Sequence, residues 1–240
     1  MKLLILAIDS ATPVAGVALL TEEKLLKEEF SNYKKTHSET LMVMIDRVMK
    51  ECECNLDELT AIALSIGPGS FTGLRIGMAT VKGMSLAKAI PLVAIPTLDA
   101  IAHNITGTKA LVCPLLDARK QEVYTAFYAV GNTYPQRLGD IMACSPEDFV
   151  EAALEKAGEQ GQDGFILLGD GYYRYREFFQ EKLGDRIKEV PLHLALPRAS
   201  AVGSLAIDKV RQEDYADPLE LRPLYIRLSE AEYRLGKGEL

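Results

Sequence analysis

The string with the clearest chemical potential is IGPGSFTGLRIG, Ile66 to Gly77. Gly67-Pro68-Gly69 reads as a strand end passing into a helix capped by Ser70, and the unpaired N–H groups at such a helix start can hold a phosphate. No Lys-Ser/Thr pair follows the last loop glycine, so this is not a Walker loop. The competing reading is a tight turn whose glycines only allow close packing. His103 and His193 stand alone, without neighbouring ligands at metal-binding spacing. Among the cysteines, Cys52 and Cys54 are close, but Cys113 and Cys144 supply no second pair at zinc spacing. Inert thiols in a reduced, cytoplasmic setting are therefore expected. The net charge of -7 repels phosphates at long range, so contact with RNA calls for a basic partner.

The elements that must position these residues are legible in outline. The 240 residues, 48% hydrophobic and 25% charged, suffice for one large domain or two modest lobes. The opening apolar run is broken by Asp9 and Ser10, which predicts a β-hairpin over 3–9 and 14–20 and excludes a signal peptide or membrane span. A third strand is expected at 25–30 and a helix at 36–51, with Thr36 and Glu39 as its capping box. A short strand then leads into the Gly-rich loop and a second helix to about Lys88. A strand at 92–95 and a short helix at 97–103 follow. ALVCPLLDAR and EVYTAFYAV repeat the hairpin plan, and a helix at 146–158, a strand at FILLGDG, an aromatic segment at 172–179 and a helix at 199–212 follow. The predicted class is α/β with two lobes, 1–105 and 106–240, ending in a frayed polar tail after Ser229.

IDSAT (8–12), IGPGSFTGLRIG (66–77), LDARKQEVY (116–124) and PLYIR (223–227) stand in the order and spacing typical of the TsaB family, also called YeaZ, and the resemblance covers essentially the whole chain. It implies the two-lobed fold of actin, sugar kinases and Hsp70 (ASKHA), each lobe a mixed β-sheet with flanking helices. The related enzyme TsaD binds a catalytic metal through two histidines four apart on a helix, a spacing that puts both imidazoles on one face. Here His37 is followed by Leu41, so no bound metal and no peptidase or transferase centre is expected. Asp9, Thr12 and Asp117 occupy hairpin positions that face phosphates and magnesium in related kinases, although such residues also fix turns through local hydrogen bonds. Ala118-Arg119-Lys120-Gln121 stands where nucleotide-binding relatives carry glycines, which hinders backbone approach to a phosphate.

The resemblance thus implies a non-catalytic scaffold that binds TsaD, with TsaE as a further partner, a homodimer when isolated, and tRNA contact only through the complex. No cofactor is expected on the chain alone, with ATP or ADP restricted to the partner interface. The candidate interface residues are Leu41, Met42, Met44, Ile45, Val48, Met49, Gly73, Ile76, Gly77, Thr80 and Met84. The first helix is apolar over more than one stripe, and the glycines of the second leave a smooth track at about 1 kcal/mol each. On this reading Ile45→Asp or Gly77→Leu breaks pairing and spares the fold. The rival reading is a nucleotide-dependent small-molecule kinase of the same fold.

Overall fold

The interrupted apolar run at the N-terminus forms β1 (Ile5–Asp9) and β2 (Ala15–Leu20), paired from Ile5 opposite Leu20 to Asp9 opposite Gly16. The computed structural model describes residues 3–33, 36–131 and 134–227, so the tail expected after Ser229 lies outside the described residues. β3 (Leu25–Ser31) completes the meander. The chain then forms α1 (His37–Glu51), whose start is closed by the Thr36 N–H donating to Glu39 Oε2 at 3.1 Å, as the capping pattern predicts. β4 (Ala61–Ser65) returns parallel to β1, α2 (Phe71–Lys88) follows, and β5 (Leu92–Ile95) joins β4 in parallel. The first sheet is therefore ordered β3-β2-β1-β4-β5. A short α3 (Thr97–Ala102) leads out of it.

The second half repeats the plan. β6 (Leu111–Asp117) pairs antiparallel with β7 (Val123–Thr125) and β8 (Tyr128–Val130), and the pairs Asp117–Val123, Leu115–Thr125 and Val112–Tyr128 keep one register. The expected strand EVYTAFYAV thus exists with an interruption at Ala126–Phe127. β9 (Pro135–Arg137) and β10 (Met142–Cys144), which the sequence pattern did not predict, pair with β8 and β7. α4 (Pro146–Gln160) then leads to β11 (Phe165–Leu168), parallel to β6 as β4 is to β1. The aromatic segment forms α5 (Asp170–Arg174) and α6 (Arg176–Leu183), and α7 (Ala199–Arg211) is the last helix of the described residues.

Strand alternation divides each sheet between two cores. On the first sheet Leu6, Ile8, Val17, Leu19, Ile62 and Leu64 meet α1 and α2. Ile5, Ala7, Ala18, Ala61 and Ala63 on the opposite face meet α7, and their small size lets that helix lie close. On the second sheet Leu111, Cys113 and Leu115 pack with α4 and α6, whereas Val112 and Leu116 pack with Leu98, Ile101 and Ala102 of α3. Helix packing runs across the 105/106 division. Each half of the chain sends one helix across, α3 to the second sheet and α7 to the first, because each sheet needs both apolar faces covered.

The crossing of α7 is held by a buried carboxylate. Glu28 on β3 accepts hydrogen bonds from Arg198 Nε at 3.2 Å, from Arg198 Nη2, and from the backbone N–H and hydroxyl of Ser200 at 3.1 and 2.9 Å. Burial raises the Glu28 pKa, but the bonds from Arg198 and Ser200 more than offset this and hold it below the usual carboxylate value.

The α2 glycines divide into two kinds. A Cβ on Gly73 would come within 2.1 Å of the Ser10 carbonyl and one on Gly77 within 2.2 Å of Ser10 Oγ, whereas one on Gly83 would meet nothing among the described residues within 4 Å. Gly77→Ala is therefore expected to destabilise the chain by ~1–3 kcal/mol through overpacking. Gly83→Ala is expected to stabilise it by ~1 kcal/mol through helix propensity. Urea unfolding midpoints of the two variants should move in opposite directions.

Candidate functional site

The functional strings converge where the two hairpins face each other. Ser70 N–H donates to the Ala11 carbonyl at 2.6 Å, and a Cβ on Gly69 would lie 2.1 Å from that oxygen, so the loop can rest on the β1–β2 turn only with glycine there. Ser70 Oγ then caps α2 by accepting from Gly73 N–H at 3.2 Å, as predicted. Across from this corner stand the β6–β7 turn and the start of α5. Between them lies a cleft of about 890 Å³ lined by Thr12, Phe71, Arg75, Asp117, Arg119, Lys120, Tyr124, Asp170, Tyr225 and Arg227, among others.

Of the three candidate nucleotide contacts, Thr12 and Asp117 line this cleft and Asp9 lies beneath it. All three make the local turn bonds that the structural alternative required. Asp9 Oδ1 accepts from Ala11 N–H at 3.0 Å, Thr12 Oγ1 from Val14 N–H at 3.2 Å, and Asp117 Oδ1 from Arg119 N–H at 3.0 Å. The second oxygen of Asp117 accepts from Arg174 Nη1 at 2.6 Å, so both of its oxygens are engaged. Asp170 Oδ1 accepts the Asp117 N–H at 3.1 Å, and burial raises the Asp170 pKa. Asp9 is fully buried, and burial pushes its pKa to about 6 despite the hydrogen bond from the Ala11 N–H. Its Oδ2 has no partner among the described residues, which fits a carboxyl that readily keeps its proton.

His37 lies at the junction of the hairpin with both helices. Its Nε2 is 2.7 Å from the Thr12 carbonyl, which can only accept, so Nε2 carries the proton and donates. That nitrogen is thereby committed to the turn. Leu41, one helical turn on, is buried in the core. Among the described residues no group of three or more His, Cys, Asp or Glu side chains could hold a metal ion.

The candidate interface residues fall into two groups. Leu41, Met44, Ile45, Val48 and Met49 form one regular buried stripe at helical spacing, and Gly73, Gly77 and Met84 are buried beside it. Their apolar and small character is accounted for by the first lobe's own core, so the expectation that Ile45→Asp or Gly77→Leu spares the fold is corrected: both changes strike packed interior. Met42 remains 53% exposed, and Ile76 and Thr80 are half-buried. The outward surface also includes Val43, 53% exposed, with Ala79, Gly83 and Leu86 on α2. These last four were missed, although once the buried stripe is drawn they are what the helical period leaves outside it. Near the helix starts Thr36, His37, Ser38, Thr72 and Ile76 line a groove of about 450 Å³.

The turn at 119–121 falls where the repeated hairpin plan put it, but other features of the site carried no sequence signal. Arg119, Lys120 and Gln121 all have left-handed backbones (φ 63°, 49° and 61°) without a glycine to mark the turn. Arg75 meets Tyr225, 150 positions away, through Nε–H to the hydroxyl at 3.1 Å.

A family model described as TsaD, tRNA N6-adenosine threonylcarbamoyltransferase, matches residues 24–235. The Bacillus subtilis tRNA threonylcarbamoyladenosine biosynthesis protein TsaB is 30% identical over 230 residues, covering 95% of this chain and 96% of that protein. The chain belongs to the TsaB family. The solved structure of YeaZ from Pseudomonas aeruginosa superposes with a TM-score of 0.74 at 26% identity, covering 93% of this chain and 99% of that one. The ROK hexokinase of Thermus thermophilus, at 12% identity and TM-score 0.51 over 86% of this chain and 100% of that one, shares the fold. The TsaB-family chain therefore has the two-lobed ASKHA architecture that its sequence implied.

Burying Asp9 has a consequence for stability. With its pKa raised from 3.8 to about 6 in the folded state, the native protein keeps a proton that the unfolded chain releases over that interval. Folding stability contributed by this group is thus lost as pH rises from about 4 to about 6, by ~3 kcal/mol in total. Asp9→Asn is expected to remove that slope, which urea unfolding of both proteins at pH 4.5, 6 and 8 would read as a difference that vanishes only if Asp9 titrates normally.

Proposed function

We propose that the chain is a non-catalytic scaffold subunit that binds TsaD, with TsaE as a further partner. Its role is in the transfer of a threonylcarbamoyl group to the adenosine beside the anticodon of tRNAs reading codons that start with A. Membership of the TsaB family supports the pathway. The observation that carries the binding role is the outward face of α1 and α2. Met42 and Val43 expose apolar side chains there, and Gly83 lies in an exposed helix interior although nothing among the described residues uses its missing Cβ. A glycine in that position costs about 1 kcal/mol, and a helix from outside that packs closely on it offsets the cost. The same face serves self-association when TsaD is absent, and ATP or ADP, if bound, belongs at this interface.

Further support for a non-catalytic role comes from the committed nitrogen of His37, the buried Leu41 and the two engaged oxygens of Asp117. The kinase reading would require Asp117 to give up Arg174 and Asp9 to be reached through the turn above it. With a net charge of -7, the chain meets tRNA through its partners rather than alone.

Met42→Asp with Val43→Asp should abolish co-elution with TsaD and restoration of tRNA modification in cells lacking the native subunit, because a carboxylate buried unpaired at an interface costs several kcal/mol, roughly the worth of the contact. Gly83→Leu should do the same. Both proteins should retain wild-type circular dichroism and melt at or above the wild-type temperature, whereas Ile45→Asp should unfold. Folded variants that still co-elute would refute this face, and one tightly held metal per chain or ATP hydrolysis at enzymatic rates would refute the non-catalytic role.

A further inference from the structure

The outer edges of the two sheets are not protected alike. An uncovered strand edge presents a row of backbone donors and acceptors to any chain that can pair with it. On the first sheet the β5 edge is met by the chain itself: Ala216 bridges to Leu92, and its N–H donates to the Leu92 carbonyl at 2.8 Å. On the second sheet β11 is met by Ile187, and the outer strands β9 and β10 are only three residues each. β3 is different. It runs seven residues, from Leu25 to Ser31, and among the described residues it pairs with β2 alone. Leu25, Leu26 and Phe30 on this edge strand are 52, 42 and 40% exposed, an apolar surface that pairing would cover.

We propose that β3 is a pairing edge for a second copy of this chain, the two β3 strands running antiparallel with Glu28 of one opposite Glu28 of the other. A two-fold axis relating two antiparallel strands keeps the same face of each sheet on the same side, so the register must be centred on a residue. Centred on Glu28, Lys27 stands opposite the second copy's Glu29 and Glu29 opposite its Lys27. These lie on the side of the sheet facing α1, where Lys27 pairs with Glu51 and Glu29 with Arg47 in the same chain. On the side facing α7, Leu26 stands opposite the second copy's Phe30 and Phe30 opposite its Leu26. The two central carboxylates are each turned to their own Arg198 and Ser200, and the Glu28 side chain is only 6% exposed, so no bare like charges meet. Neighbouring registers fail on both counts. Centring on Lys27 sets lysine against lysine and Leu26 against Glu28, and centring on Glu29 sets glutamate against glutamate and Phe30 against Glu28. Like charges directly opposite destabilise a strand pair, whereas unlike charges and apolar pairs stabilise it. Charges that blunt most edges here select one register, and the two first sheets join into one. The edge is distinct from the outward face of α1 and α2, so the two surfaces can be tested apart.

The test uses the full chain carrying Met42→Asp and Val43→Asp, which removes self-association through α1 and α2, and follows sedimentation against concentration. This parent should still form dimers. Adding Lys27→Glu should weaken dimerisation about tenfold, because both cross-strand charge pairs become glutamate against glutamate, and adding Glu29→Lys should do the same by setting lysine against lysine. An equimolar mixture of the two variants should associate as tightly as the parent, since each copy then meets the opposite charge on the other. Mixing would not repair a loss of fold or of packing within one chain. If either charge reversal fails to fold, Leu26→Lys, at an exposed position, sets a charge against the second copy's Phe30 and should weaken dimerisation to a similar extent. A parent that stays monomeric at about 1 mM, folded variants that associate as the parent does, or a mixture no tighter than its components would overturn the proposal.

Discussion

The contact on which the first lobe depends is the close approach of α2 to the β1–β2 turn. Ser10 Oγ donates to the Gly73 carbonyl at 3.0 Å, and the Ser10 carbonyl and hydroxyl occupy the space that side chains at positions 73 and 77 would fill. Ser70 ties the loop to Ala11, and His37 ties the start of α1 to Thr12. A turn of five residues thus fixes the starts of two helices. Both helices then extend over Leu6, Ile8, Ile62 and Leu64, so the outer surface they expose is set by where their starts are pinned.

The same pinning shapes the chemistry left in the cleft. Polar groups at the ends of β1 and β6 are engaged by neighbours: Asp117 by Arg119 and Arg174, Thr12 by Val14. Asp9 is driven by burial toward its neutral form. Each of these groups has at least one oxygen holding a local turn.

Exchange of helices between the halves binds the lobes to each other. α3 covers one face of the second sheet and α7 one face of the first, with Glu28 receiving Arg198 and Ser200 at the start of α7. Neither sheet would be covered on both faces by its own half of the chain, so folding of the two lobes is coupled. The chain then returns to the first lobe past Ile66 and Phe71.

What the sequence determined by itself was local: the interruption at Asp9 and Ser10 that makes a hairpin, the Thr36 and Glu39 cap, the Ser70 cap and the repeat of the hairpin plan around Asp117. Each depends on groups a few residues apart, whose hydrogen bonds or periodicity can be read along the chain. The family strings also carried the architecture. The interior or exterior fate of the two helices was decided only by the tertiary structure. Leu41, Ile45 and Gly77 look as suitable for a partner as for a core until Ser10 and the first sheet are placed against them, and Met42, Val43 and Gly83 stand out only once that stripe is filled. The exchange of α3 and α7, the left-handed backbone of the expected turn at 119–121 and the meeting of Arg75 with Tyr225 were likewise invisible, because each is imposed by groups distant in the chain or by backbone strain that no glycine announces.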